Sequence, residues 1–389
     1  MPQDNENWFD DYASEQEDIQ VREYDITSTP NDFNVSTLFN FIDSGAVVIP
    51  GFQRHFVWDV KRSSKLIESL ILGLPVPQLF LYEKAKNKFL VIDGQQRLMS
   101  IYYFIKQRYP RREKRGDLRL IFDEHGKIPD GVLHDDAYFT NFRLQLPARL
   151  PDQPNPFAGK SYSTLGDVKI QLDLRPIRNV IVKQNSPEND DSSVFEIFSR
   201  LNSGGMNLTA QEIRLCLYHS DFYETLTHLN MEDGWRRILG TVNPDLHLKD
   251  VEILLRMFAM LVDHAEYAPS MVKFLNQFSK KCQTHDEQQN EYLASVFRSF
   301  LKCAAGLPPN AFLSKKTGRF SIALIEAVFT AASHDAFSQR RTLEGKLSMD
   351  EITTLSEDAE FQDAATKAST TTSNVEKRLE IGRKCVSAL

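Results

Sequence analysis

An α+β architecture, with a mixed α/β N-terminal domain ahead of an all-helical C-terminal domain, is predicted by three features of the chain. The first half mixes strand-like and helix-like apolar runs, about one short helix for every two strands, without the strict alternation of a doubly wound nucleotide fold. A polar stretch carrying a proline, residues 186–193, interrupts this pattern, and beyond it the apolar spacing is helical throughout. The length of 389 residues accommodates two domains, and 41% hydrophobic with 25% charged residues is a globular composition. The expected divisions are an acidic, disordered tail at 1–24, the mixed domain at 25–188 and the helical domain at 189–389.

The tail carries Asp4, Glu6, Asp10, Asp11, Glu15, Glu17 and Asp18 and no lysine or arginine in its first twenty residues. That composition keeps a segment solvated, with partner binding or DNA mimicry as the minor reading. Leu38, Phe39 and Ile42 then place a short helix over 34–44, closed by Gly45, and 47–49 read as a strand. Asp59 is the cap of a helix whose Leu66, Ile67, Leu70 and Ile71 share one face and whose stop is Gly73. Residues 79–82 and 89–92 are strands about a polar turn, and further strands are expected at 118–122, 142–146, 170–174 and 180–183. In the helical half, Ser193 with Glu196 and Thr209 with Glu212 spell capping boxes. Amphipathic segments follow at 251–262, 292–301, 322–329 and 375–386, their apolar stripes reading as core.

Several function classes drop out. No apolar run approaches the roughly 20 residues that span a bilayer, so no membrane and a cytoplasmic location are expected. Cys216, Cys282, Cys303 and Cys385 are scattered without a Cys-x-x-Cys pair, which argues against a structural zinc or a disulfide framework. A net charge of −7 is wrong for a strongly basic coat protein of DNA, although it permits a local basic face. Neither a Gly-x-Gly-x-x-Gly nor a complete Walker-type Gly-x-x-x-x-Gly-Lys-Ser/Thr accompanies the strands.

Three polar clusters stand apart from the packing pattern. In residues 89–98 an apolar strand stops at Asp93-Gly94 and passes at once into a helix opening with Gln95, Gln96 and Arg97. The first turn of a helix presents unpaired N–H groups at the positive end of the dipole, where a phosphate or carboxylate can sit. The local alternative is an ordinary connection in which Asp93 caps the helix and Gln96 completes a capping box. The second cluster alternates polar and aromatic side chains, Phe52-Gln53-Arg54-His55-Phe56-Val57-Trp58. Its structural alternative is a surface arginine among core aromatics, and its weakest functional reading is an aromatic pocket of Phe52, Phe56 and Trp58 for a modified base. The third, Arg200-Leu201-Asn202-Ser203-Gly204-Gly205, ends a helix in a polar turn that a C-cap alone would explain.

The chain carries Pro50-x-Phe52-Gln53-Arg54-x-x-Val57-Trp58, then Leu66-Ile67-Glu68-Ser69-Leu70-x-x-Gly73-x-Pro75-x-Pro77, then Asp93-Gly94-Gln95-Gln96-Arg97. Phe198-x-Arg200-Leu201-Asn202-x-x-Gly205 and Leu208-Thr209-x-Gln211-Glu212-Ile213-Arg214 follow in order. In this series the chain resembles the N-terminal domain of GmrSD-type restriction enzymes. The resemblance implies a ParB/sulfiredoxin-like first domain, a role in bacterial defence against modified or foreign DNA, and nucleoside triphosphate binding and hydrolysis at the Asp-Gly-Gln-Gln-Arg segment. In many members a His-Asn-His nuclease domain follows; here His264, His285 and His334 are isolated in sequence, so a separate nuclease or defence-system protein is the expected partner. Met99 stands where the family usually has a threonine.

With a nucleotide as substrate or ligand, positioning and charge neutralisation carry the chemistry. The expected roles are phosphate binding by backbone N–H groups of Gly94 to Arg97 and by Gln53, charge neutralisation by Arg97 with Arg54, and Mg²⁺ at Asp93. Gln95 or Gln96 would orient the attacking water, while Arg200 and Asn202 would close the site. A basic stretch, Arg108, Arg111, Arg112, Lys114, Arg115 and Arg119, is the candidate DNA contact, against the simpler reading of a solvated face. The alternatives are a DNA endonuclease in its own right and a non-catalytic nucleotide-sensing specificity subunit. Homo-oligomerisation is left open.

Overall fold

The computed structural model describes residues 8–10, 25–48, 56–115, 117–118, 121, 128–148, 153–186, 197, 209–245, 247–387 and 389. The chain divides into two compact units, Arg22–Leu217 and Tyr218–Leu389 with Met1–Val21. Strand β1 (Phe9–Asp10) belongs to the second of these.

The first unit is built on β2 (Asp25–Asn34), β3 (Val47–Val48), β4 (Leu79–Ala85), β5 (Lys88–Asp93) and β8 (Pro176–Ser186) in a five-stranded mixed sheet of order β2-β8-β4-β5-β3. β2 and β8 run antiparallel, as do β4 and β5, while β8/β4 and β5/β3 are parallel. A small second sheet pairs β6 (Arg108–Pro110) with β7 (Phe139–Asn141). The helices are α1 (Val35–Asp43), α2 (Val60–Leu72), α3 (Gln95–Ile105), the short α4 (Asp130–Leu133), α5 (Val168–Asp173) and α6 (Ala210–Tyr218). Leu38, Ile67, Leu70, Leu81, Val91, Leu98, Ile101 and Phe104 form the core that α1, α2 and α3 share with the sheet.

Local signals set the ends of these helices. Asn34 Oδ1 accepts from the Thr37 N–H at 2.8 Å to start α1, and Asp59 Oδ1 from the Arg62 N–H at 2.7 Å to start α2. Gly73 closes α2 at φ +76°, a conformation open to glycine at no steric cost. The Thr209–Glu212 capping box is present in both directions, at 2.7 and 3.2 Å. It opens α6, which lies with the sheet because Lys84 of β4 donates to the Leu217 carbonyl. The sequence instead places the division at 188/189, beside residues 187–196, which lie outside the described residues together with the Ser193–Glu196 box.

Three expected strands are not strands. Residues 170–173 lie in α5 and Leu174 is its C-cap: apolar residues spaced by two share a face only in a strand, whereas in a helix Ile170 and Leu174 fall on one side. That side is the outer one, with Ile170 66% and Leu174 63% exposed while Leu172 is fully buried. In 142–146 the alternation is real, since Phe142 and Leu144 are buried, but Leu144 pairs through its N–H and C=O with Lys160 and Gly159 of a loop rather than with a ladder. Leu118 and Ile121 are helical, and 119, 120 and 122 lie outside the described residues.

The second unit is helical: α7 (Asp221–Asn230), α8 (Asp233–Leu239), α9 (Lys249–Asp263), α10 (Met271–Cys282), α11 (Glu287–Cys303), α12 (Ile322–Ser338), α13 (Met349–Glu357), α14 (Ala359–Thr366) and α15 (Thr372–Cys385). A short strand, β9 (Phe320–Ser321), pairs with β1. α9 and α12 are buried almost all round, and a buried ion pair between Arg256 and Glu326 joins them. Among the described residues no helix is long and apolar enough to cross a membrane.

The second unit also sets a pH dependence. Burial, then the Arg383 guanidinium and His334, hold the His264 imidazole below its ordinary value of 6.5; His285 is likewise pushed down, first by burial. Arg383 Nη2 lies 3.1 Å from His264 Nε2, a contact that a protonated imidazole cannot accept. Folding therefore disfavours the proton at both sites, and their stabilising effect is complete above pH 6.5 and lost as pH falls through the depressed folded values. Tm measured from pH 7.5 down to about 5 is expected to fall below about 6.5, with a shallower fall in His264→Gln.

Candidate functional site

β5 ends at Asp93, and Gly94 turns the chain into α3 at φ +101°, the left-handed region. A Cβ at Gly94 would lie 2.2 Å from Leu79 Cδ2, so beyond the backbone angle that favours glycine any other residue makes the Leu79 side chain shift. The N-cap of α3 is Gly94 itself with no side-chain cap, and Asp93 remains in the strand. The capping box of Asp93 and Gln96, the local alternative to a ligand site, is thus absent: Asp93 pairs with Arg97, and Gln96 Oε1 accepts from Val57 and Trp58. The first α3 hydrogen bond runs from Leu98 N–H to Gly94 O at 2.9 Å, leaving the amides of Gln95, Gln96 and Arg97 outside the helix's own ladder.

Arg97 is anchored on every side. Its Nη2 pairs with Asp93 Oδ2 at 2.7 Å, and its Nη1 donates to the carbonyls of Pro77 and, at 3.0 Å, Gln78. The Arg97 side chain is only 12% exposed, whereas that of Asp93 is 44% exposed. Gln96 Oε1 accepts from the Val57 and Trp58 N–H groups at 3.0 and 3.3 Å. Behind it, the Trp58 carbonyl accepts from Tyr109 Oη and Arg115 Nη2, each at 2.8 Å. Ser100 Oγ donates to the Gln96 carbonyl at 2.7 Å and lies 3.0 Å from Ser63 Oγ. The first turn of α3 is therefore the hub of a polar network that fixes two flanking segments, 57–58 and 77–78.

The aromatics of the second cluster divide. Phe56 is core, edge-on to Tyr103 and Tyr109 at 5.2 and 5.5 Å, and Trp58 carries the Arg62 guanidinium at 4.6 Å. Phe52, Gln53 and Arg54, and Arg200 and Asn202 of the third cluster, lie outside the described residues. Met99 is buried against the core.

The basic stretch is mostly committed to structure. Arg108 is 9% exposed, its guanidinium shared among Leu133 O at 2.9 Å, Asn141 Oδ1 at 3.2 Å and Asp136 Oδ1 at 2.7 Å. It is a strut under the 130–141 segment and does not reach a ligand surface. Arg111 donates to Asp136 O at 2.8 Å, Lys114 pairs with Asp117 at 2.8 Å, and Arg115 spans from Trp58 O to the face of Phe56. Arg112 is exposed, and Arg119 lies outside the described residues. Among the described residues no group of three or more His, Cys, Asp and Glu could hold a metal ion.

The sequence did not signal the roles of Pro77, Gln78, Val57 and Trp58, which act through backbone atoms. The Gly73-x-Pro75-x-Pro77 spacing marks an extended link, but nothing in it tells which carbonyl will meet an arginine.

The domain so described coincides with a known one. The GmrSD restriction endonuclease, N-terminal domain, matches residues 35–219, from the first residue of α1 to just past the end of α6. No curated protein matches the chain. The turn at 93–97, the α2 to β4 link and the Thr209–Glu212 cap all fall inside the matched segment, and the helical remainder from 220 onward falls outside it. Residues 35–219 belong to the GmrSD restriction endonuclease N-terminal domain family.

Proposed function

We propose that this chain is a nucleotide-dependent component of a bacterial restriction system acting on modified or foreign DNA, with the turn at 93–97 as its nucleoside triphosphate site on a ParB/sulfiredoxin-like domain. The observation that carries the reading is the family match over a segment in which a left-handed glycine delivers an uncapped helix start beside an exposed carboxylate. Amides of the first α3 turn would bind phosphate oxygens. Arg97, tied to Asp93 and two carbonyls, acts by holding that turn open and adds charge from its inner face. Gln95 or Gln96 would orient the attacking water, Gln96 while its Oε1 accepts from the Val57 and Trp58 N–H groups.

The residues present fit Mg²⁺ in one way. Asp93 offers an exposed carboxylate, and without a preformed cluster the remaining ligands would be phosphate oxygens and waters. Bound there, the ion would neutralise charge on the phosphates. For DNA, Arg112 and Lys114 are the members of the basic stretch left at the surface, and a separate nuclease would perform the cleavage.

The test is phosphate release from each of the four nucleoside triphosphates with Mg²⁺, with and without plain or modified DNA. Asp93→Ala is expected to lower release about 100-fold or more, the scale of losing one group positioned on the transition-state charge. Hydrolysis intact in Asp93→Ala would remove the metal role. The anchoring of Arg97 favours a second reading, a sensing subunit that binds without turnover; no release from the unsubstituted chain, with calorimetric binding retained, would establish it.

A further inference from the structure

Within the acidic stretch expected to be solvated, Trp8, Phe9 and Asp10 are seated on the helical unit. Phe9 and Asp10 add β1 in parallel to β9, in register with Phe320 and Ser321, and the Phe320 N–H donates to Trp8 O at 3.0 Å. Each side chain meets a group of fitting chemistry. The Trp8 indole N–H donates to Asp245 Oδ2 at 3.1 Å, and its ring lies 6.0 Å from that of Phe320. Lys249 Nζ stands 4.9 Å over the Phe9 ring. The Asp10 carboxylate accepts from Thr317 Oγ1, lies 3.9 Å from Arg319 Nη1, and is 7% exposed.

The receiving groups are held by the helical unit itself. Asp245 Oδ1 accepts from the N–H groups of His247 and Lys249 at 2.8 and 3.2 Å, and the Asp245 N–H donates to Asp250 Oδ2 at 2.9 Å. Asp250 is in turn paired with the buried Arg236 at 3.0 Å. Asp245 Oδ2 is thus aimed before the indole arrives. Arg319, and Lys249 with its Glu252 partner at 2.6 Å, lie where an acidic segment docks.

We propose that this surface is a peptide seat for an aromatic-aromatic-acid tripeptide, filled in cis by the chain's own Trp8-Phe9-Asp10 and open to the same segment of a second copy. Main-chain pairing supplies general affinity and the three side-chain contacts supply specificity, as in other strand additions. A two-residue ladder opens far more readily than the core, so the segment exchanges without unfolding the unit. In cis it competes at an effective concentration of about millimolar, which makes the folded-back state the default.

The experiment uses the full chain carrying Trp8→Ala and Phe9→Ala, and a labelled peptide of residues 4–14 read by fluorescence anisotropy. Saturable binding is expected to the variant, weaker by about tenfold or more to the unsubstituted chain, and lost from the variant when Asp245→Ala is added. No binding to the variant, equal binding to both chains, or binding indifferent to Asp245→Ala would each overturn the proposal. Should the variant not fold, hydrogen exchange in the unsubstituted chain decides. The Phe320 amide is expected to exchange about 100-fold faster than buried α12 amides and to slow with excess peptide; protection equal to α12 would overturn it.

Discussion

Gly94→Ala is expected to lower the stability of the first unit by about 2–4 kcal/mol and to abolish the nucleotide binding proposed for the turn. Two costs combine. A non-glycine residue in the left-handed region costs about 1–2 kcal/mol, and Gly94 sits at φ +101°. The new methyl would also meet Leu79 Cδ2 at 2.2 Å, so the buried Leu79 side chain must shift within the core; overpacking of this kind costs about 1–3 kcal/mol. The same methyl would come within 3.3 Å of Arg97 Nη2, disturbing the guanidinium that holds residues 77–78. Thermal unfolding should therefore show Tm lower by about 5–15 °C for a unit of this size. A double-mutant cycle with Leu79→Ala isolates the collision: relief of the clash should appear as a favourable coupling of about 1–3 kcal/mol, with the backbone strain remaining. An unchanged Tm in Gly94→Ala would mean that the turn does not hold the conformation described.

Glu326→Leu is expected to cost the helical unit about 3–5 kcal/mol, the usual consequence of leaving a charge buried without its partner. Arg256 and Glu326 are each 3% exposed on the side chain, on α9 and α12, so neither can reach water by a rotamer change. The paired replacement Arg256→Met with Glu326→Leu should fall within about 1 kcal/mol of the parent, because the desolvation of both ions disappears with their attraction. Denaturant midpoints for the two singles and the double are the measurement. A single that costs no more than the double would show that water enters the site and that the pair is not buried in solution.

These two sites differ in how far the sequence announces them. The Asp93-Gly94 turn is legible because a strand, a glycine and a helix start are all short-range patterns. So are the Asp59 and Gly73 boundaries of α2, the Thr209–Glu212 box and the hairpin of β4 and β5: each depends on residues a few positions apart whose side chains or backbone freedom carry the signal. The Arg256–Glu326 pair joins residues 70 apart inside segments whose periodicity marks only the apolar face. α5 misleads for a related reason, since three apolar residues spaced by two fit either a strand face or two sides of a short helix.

At the candidate site the division is sharper. The chain alone establishes that Asp93, Gly94, Gln95, Gln96 and Arg97 lie together at a helix start. It does not establish that Arg97 is spent on Pro77 and Gln78, that Gln96 holds Val57 and Trp58, or that Arg108 is an internal strut. Nor does it place Trp8 against Asp245, 237 residues away. In the first two cases the partners are backbone N–H and C=O groups, which every residue type offers alike, and Arg108 likewise meets the Leu133 carbonyl beside the Asn141 and Asp136 side chains. An arginine in the sequence declares a charge, and packing alone selects which carbonyls it will meet.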